Sequence, residues 1–148
     1  ANLGRLRRTF LPMLAALFAG SLTAIGAAVG VAWALGVRGE TLLSIAPKSA
    51  TAPVAIGVAE QIGGLPSLTA VLVILTGVIG AVIATPLLNA CGFTDWRARG
   101  FAVGIAAHGI GTAHAFRVNS TAGAFAGIGM GLNAMLTAVL APLLFSLF

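Results

Sequence analysis

Two short stretches interrupt otherwise continuous apolar sequence: APKSATAP at 46–53 and HGIGTAH at 108–114. Between them they put a lysine, hydroxyls, two histidines and helix-breaking residues into segments greasy enough to sit in lipid. In hydrocarbon, backbone groups without a helical partner and ionisable side chains persist only where they are buried in protein or line a water-filled cavity. The breaks therefore constrain the fold more than any other feature. Both must lie inside a helical assembly, and both mark a candidate binding or conduction site.

Composition supplies the lipid. The 148 residues are 59% hydrophobic and 7% charged, with a mean hydropathy of +1.07. Ordinary soluble domains carry roughly 25% charged residues. An integral, multi-pass membrane protein follows, with the bilayer as its first partner. The net charge of +5 comes from eight Lys and Arg spread over segment ends and breaks. They form no basic stripe, which argues against nucleic acid as a partner. Cys91 has no Cys or His neighbour at ligand spacing, so neither a disulfide nor a metal site is expected, and nothing calls for a cofactor. The opening ANLGRLRRTFLPM imitates a signal peptide, but its apolar run continues to Gly36, too long for an h-region. It reads as a transmembrane helix.

Five segments are expected in one all-α polytopic transmembrane domain, 1–148: a helix over 10–36, a broken segment over 40–63, a helix over 66–90, a broken segment over 97–118 and a helix over 122–148. Gly26 and Gly30 give the first a close-packing face. Pro47 and Pro53 bracket KSATA, and each removes a backbone donor and obstructs the preceding turn, giving two half-helices joined by an elbow. Pro66 opens a Val/Ile/Leu-rich scaffold helix. Gly109 and Gly111 are expected to break the fourth segment as the prolines break the second. Gly123, Gly127 and Gly131 recur at the small-xxx-small spacing of tight helix contacts.

A weak internal repeat is visible. TAPVA at 51–55 and a helix ending TPLL at 85–88 parallel TAHAF at 112–116 and a helix ending APLL at 141–144. Lys and Arg near segment ends favour the cytoplasmic side. If both broken segments are re-entrant, Arg5, Arg7, Arg8, Arg97, Arg99 and Arg117 fall inside and only Arg38 outside; if both span, the bias falls to four against three. The charges favour re-entrant hairpins from opposite faces. Such inverted repeats build a midplane site from broken helices in many secondary transporters.

The runs SIAPKSATAPVAIGVAEQIGG, RGFAVGIAAHGIGTAHAF and GAFAGIGMGLNAMLTAVLAPLL resemble the LrgB/CidB family of bacterial membrane proteins over nearly everything from Ser44 onward. The family commonly reads HGxGTARA, so His114 stands where an arginine is usual, and Ala122 stands where an acidic residue often precedes GAF. The family usually has further hydrophobic segments ahead of the first one here, so the chain looks like its C-terminal portion. The resemblance implies holin/antiholin-like control of murein hydrolases and lysis with a small LrgA/CidA partner. It equally implies transport of small carboxylates such as pyruvate, a plastid relative moving glycolate and glycerate.

The residues themselves lean toward transport. A half-helix starting after an elbow offers free N–H groups and a positive dipole end to a carboxylate. One break supplies Lys48, Ser49 and Thr51; the other supplies His108, Gly109, Gly111, Thr112 and His114. An ammonium, hydroxyls and open backbone suit a two- or three-carbon 2-oxo or 2-hydroxy acid, and a histidine suits proton coupling. Glu60 reads as an interfacial or ion-paired residue, Asn133 as a cross-helix hydrogen bond, and Trp33 and Trp96 as interfacial belt residues. The alternative is a holin-like homo-oligomer whose breaks serve packing. An intramembrane hydrolase using Ser49 is disfavoured, because adjacent Lys48 and Ser49 do not face each other and no G-x-S-x-G or H-E-x-x-H pattern occurs. A non-enzyme is expected.

Overall fold

The computed structural model describes residues 3–146, with side chains from Phe10 onward. The last two residues of the expected 122–148 helix and the side chains of Arg5, Arg7 and Arg8 lie outside the described residues. The chain is all-helical: α1 (Leu3–Ala34), α2 (Gly39–Ile45), α3 (Ala52–Ile62), α4 (Pro66–Ala90), α5 (Trp96–Val118) and α6 (Ser120–Phe145). Three of these are long and apolar enough to cross a bilayer: α1 over Phe10–Ala34, α4 and α6. At 1.5 Å per residue their 25 or 26 residues reach about 37 Å, more than the roughly 30 Å hydrocarbon core.

Both broken segments fold back on themselves as hairpins, the form expected of re-entrant segments. In the first, Ser44 on the way in accepts at Oγ from the Leu65 N–H on the way out, at 2.7 Å. Thr69 Oγ1 donates to Ser44 O at 3.0 Å. Between these levels the chain runs through α2, winds through the turn at 46–50, reverses near Thr51 and returns as α3. The prolines act as expected: Pro47 is buried in the turn and Pro53 occupies the first turn of α3, where its missing N–H costs no hydrogen bond.

The second break folds α5 back on itself at His108. Val103 and Ala115 share one buried cluster, although twelve residues of straight helix would hold them about 18 Å apart. Arg99, Val103, His114 and Val118 line one small recess, so the arms 96–107 and 109–118 run antiparallel. The expectation that Gly109 and Gly111 break this segment needs correction, since neither takes a positive φ. The reversal sits on His108, at φ 40° and ψ −135°. Gly111 serves a different end: a Cβ there would lie 2.5 Å from the Ala107 Cβ, so its bare Cα lets the two arms close. Because α4 runs between the hairpins, their mouths lie at its opposite ends, as re-entrant hairpins from opposite faces would.

Bilayer helices gain little from the hydrophobic effect on meeting one another and associate through close backbone approach and hydrogen bonds. The most extensive contact is between α5 and α6. A Cβ on Gly100 or Gly104 would overlap the carbonyls of Ala122 or Ala126 on α6, and one on Gly129 would crowd the Phe101 carbonyl. The small-xxx-small stripe of α6 is thus only partly used. Gly123 packs on Phe116, while Gly127 and Gly131 meet nothing within 4 Å, as do Gly26 and Gly30 on α1. The hairpin lies against the opposite face of α6, so the close approach comes from α5 glycines instead. The scaffold helix α4 turns Val71, Ile74, Val78 and Val82 outward, as a lipid-facing helix should.

Outside the apolar spans, Asp95 caps α5 by accepting from the Arg97 N–H at 2.8 Å and pairs with its guanidinium at 2.7 Å. The side-chain and backbone bonds to Arg97 hold the Asp95 carboxyl down to about 2. Its folded value is depressed, so its contribution is complete above the ordinary 3.8 and is lost as pH falls through about 2.

Gly104→Ala should destabilise the protein by about 1–3 kcal/mol through overpacking, whereas Gly127→Ala should leave stability within about 0.5 kcal/mol. Thermal unfolding of the two variants in detergent checks this.

Candidate functional site

The hairpin tips meet at mid-depth. Asn133, halfway along α6 and 1% exposed, donates from Nδ2 to Ser49 O and to Ile105 O, each at 3.1 Å. Its Oδ1 accepts from Ser21 Oγ on α1 at 2.5 Å. One amide thus ties both tips and the first helix together, the cross-helix bond expected of Asn133 with more partners than expected. One acceptor lies in the turn that follows α2, and the other lies in the last turn of the 96–107 arm, before the reversal at His108. Leaving a buried polar group without a partner costs about 1–3 kcal/mol. Among the described residues no buried side-chain nitrogen or oxygen lacks a hydrogen bond.

The first tip carries Lys48, Ser49 and Thr51. Lys48 is half-buried, and its Nζ donates to Ser49 Oγ at 3.3 Å; among the described residues it has no carboxylate partner. Adjacent in sequence, the two side chains do meet, contrary to expectation, because the turn is wound and not extended. Thr51 is the N-cap of α3 but makes no side-chain cap bond. The early N–H groups of α3 are therefore not engaged by it.

The second tip carries His108, 4% exposed. Its Nε2 lies 2.8 Å from Val73 O on α4. A carbonyl only accepts, so Nε2 carries the proton and Nδ1 keeps its lone pair when the ring is neutral. Gly77 makes room: a Cβ there would strike the imidazole. Thr112 Oγ1 donates to His108 O at 2.7 Å. A positive φ on a residue with a Cβ costs of order 1–3 kcal/mol and tends to accumulate at functional sites. Ala50 packs with Val73, which brings the first tip to the same stretch of α4.

Of the residues expected to form the site, Lys48, Ser49, Thr51, His108 and Thr112 lie at the tips. Gly109 is exposed beside the turn and Gly111 is closed between the arms. His114 lies apart, in a recess of about 20 Å³ with Trp96 and Arg99 at the mouth of the α5 hairpin. Sequence reasoning used Arg99 only as a topology charge; it is 7% exposed, donates to Phe93 O at 3.1 Å and sits 4.5 Å over the Trp96 ring. Sequence reasoning passed over Ser21. A lone hydroxyl in an apolar helix was the only signal available. Glu60 is exposed at the end of α3, and Trp33 and Trp96 lie at opposite ends of the molecule, each beneath an arginine.

The electrostatic balance follows. Both outward arms, α3 and 109–118, begin at the tips, so two positive helix ends face mid-depth beside Lys48. The negative ends of the inward arms face the same place, and Asn133 engages one carbonyl in each hairpin. The arrangement favours an anion.

A family model described as the LrgB-like family matches residues 1–147. A Staphylococcus epidermidis protein named holin-like protein CidB is 40% identical over 113 residues, covering 76% of this chain and 49% of the relative. The Staphylococcus aureus protein of the same name is 37% identical over 115 residues, covering 78% and 50%. An uncharacterised Bacillus subtilis protein, YwbG, is 42% identical over 103 residues, covering 70% and 46%. The chain spans about half the length of these relatives. No solved structure matches it.

His108→Gly should unfold at a higher temperature than His108→Ala, by the equivalent of about 1 kcal/mol. Both lose the Val73 bond and only glycine relieves the φ, so equal midpoints in detergent would count against strain at the tip.

Proposed function

Because the chain belongs to the LrgB-like family of membrane proteins, we propose that it carries small carboxylates of the pyruvate and glycolate class through a midplane site between its hairpin tips. The observation that supports this most is the convergence of Lys48, without a carboxylate partner, with two outward helix N-termini at one buried place. A two- or three-carbon 2-oxo or 2-hydroxy acid satisfies such a set: its carboxylate takes the ammonium and helix N–H groups, and its oxygen substituent takes Ser49 or Thr51. His108, with Nε2 committed to Val73, offers Nδ1 as a proton acceptor for coupled movement. The protein works on this reading as a carrier in the cell membrane and not as an enzyme, with a small LrgA/CidA-like membrane partner and as a homo-oligomer.

A second reading has its own support, since two of the most similar relatives are named holin-like. In it the molecule regulates murein hydrolase activity and lysis, and the open glycine faces of α1 and α6 (Gly26, Gly30, Gly127 and Gly131) pack against other subunits. Carboxylate flux and lysis control are compatible, because a change in flux can alter the envelope indirectly.

Uptake of labelled pyruvate and glycolate into proteoliposomes holding the full-length protein and its partner separates the two. The carrier reading predicts saturable uptake, reduced at least 10-fold by Lys48→Ala and by His108→Ala at unchanged membrane insertion. Non-selective dye leakage without saturable uptake favours the holin-like reading.

A further inference from the structure

We propose that Asn133 is the specificity-determining residue of the midplane site: by engaging one carbonyl in each hairpin and fixing the tips together, it makes the site anion-selective. The proposal rests on the carrier reading for its consequence but not for its geometry.

A re-entrant hairpin brings two helix ends of opposite polarity to its tip. The outward arm presents N–H groups and the inward arm presents carbonyls. Two hairpins meeting tip to tip thus present two positive and two negative ends, a set with no intrinsic preference for anions over cations. Cations are commonly held in transporters by unwound backbone carbonyls of this kind. In this chain Ser49 O and Ile105 O are the carbonyls in question, and the same Asn133 Nδ2 occupies both at 3.1 Å. The two carbonyls only accept, so they hold Nδ2 toward the tips, and the Ser21 hydroxyl donates to the Oδ1 on the other side. Beside these two engaged carbonyls lie the start of α3, where Thr51 makes no side-chain cap bond, the start of the 109–118 arm, and Lys48.

The clasp also sets spacing. Ser49 adjoins Lys48, and Ile105 lies one turn before His108, so the amide fixes the ammonium and the imidazole relative to each other. Asn133 itself touches neither in this structure and acts through them as a positioning residue.

The test uses the full-length protein with Cys91→Ser and spin labels at Gly57→Cys and Ala113→Cys, exposed positions on the outward arms. Pulsed electron spin resonance in liposomes reads the distance between the hairpins. A single narrow distribution is expected with Asn133, a broadened or bimodal one with Asn133→Leu, and an intermediate one with the milder Ser21→Ala. A distribution unchanged in both variants overturns the clasp. In the same liposomes Asn133→Leu should raise the half-saturation for pyruvate at least 10-fold with a smaller effect on maximal rate. Asn133→Asp, which sets a carboxylate against the two carbonyls, should abolish pyruvate uptake and admit labelled sodium. A folded Asn133→Asp protein that keeps wild-type pyruvate half-saturation and admits no sodium overturns the selectivity role. Absence of pyruvate uptake by the wild-type protein overturns the carrier reading instead, and the spin-label distances still decide the clasp.

Discussion

Backbone carbonyls that lose their helical partner in hydrocarbon must find another, and in this molecule one asparagine serves two of them. The chain stops two helices at mid-depth, which in lipid costs several kcal/mol for each group left unpaired. Asn133 meets Ser49 O and Ile105 O together, and Ser21 donates to its Oδ1. Around that node the rest falls into place: α6 must pass between the tips, α1 must bring Ser21 to the same depth, and α5 must lie close enough on α6 for Gly100 and Gly104 to replace larger residues.

The same constraint accounts for where polarity is allowed. Lys48 and His108 sit at the tips because irregular backbone there already demands a polar, protein-enclosed setting, and each has a local hydrogen bond. Arg99 is buried at the other extreme, at the hairpin mouth, where it donates to a loop carbonyl and lies over Trp96. Between these levels the molecule is apolar, and α4 shows lipid-facing residues along much of its length.

Much of this was legible in the sequence. Length and hydropathy located the three spanning helices, the prolines located the first elbow, and the uneven placement of arginines pointed to re-entrant hairpins. What stayed hidden depends on which face a helix turns and on contacts distant in sequence. Glycine spacing marked Gly127 and Gly131 as contact residues, but spacing cannot say which side the neighbour occupies, and the neighbour came to the other side. The second break was attributed to Gly109 and Gly111 because glycine is the usual residue at positive φ; the strained conformation fell on His108, where tertiary contacts with Val73 and Thr112 hold it. Ser49 and Asn133 lie 84 residues apart, and no local rule pairs them.

The re-entrant topology on which the site depends is open to direct measurement. In a Cys91→Ser background, single cysteines at Glu40, Glu60, Arg97 and Arg117 are labelled in intact cells and in inverted vesicles with a membrane-impermeant maleimide. Two re-entrant hairpins entering from opposite faces put Glu40 and Glu60 on one side and Arg97 and Arg117 on the other. Labelling of Arg97 and Arg117 from opposite sides would contradict it, for α5 would then span the membrane and its tip would not exist.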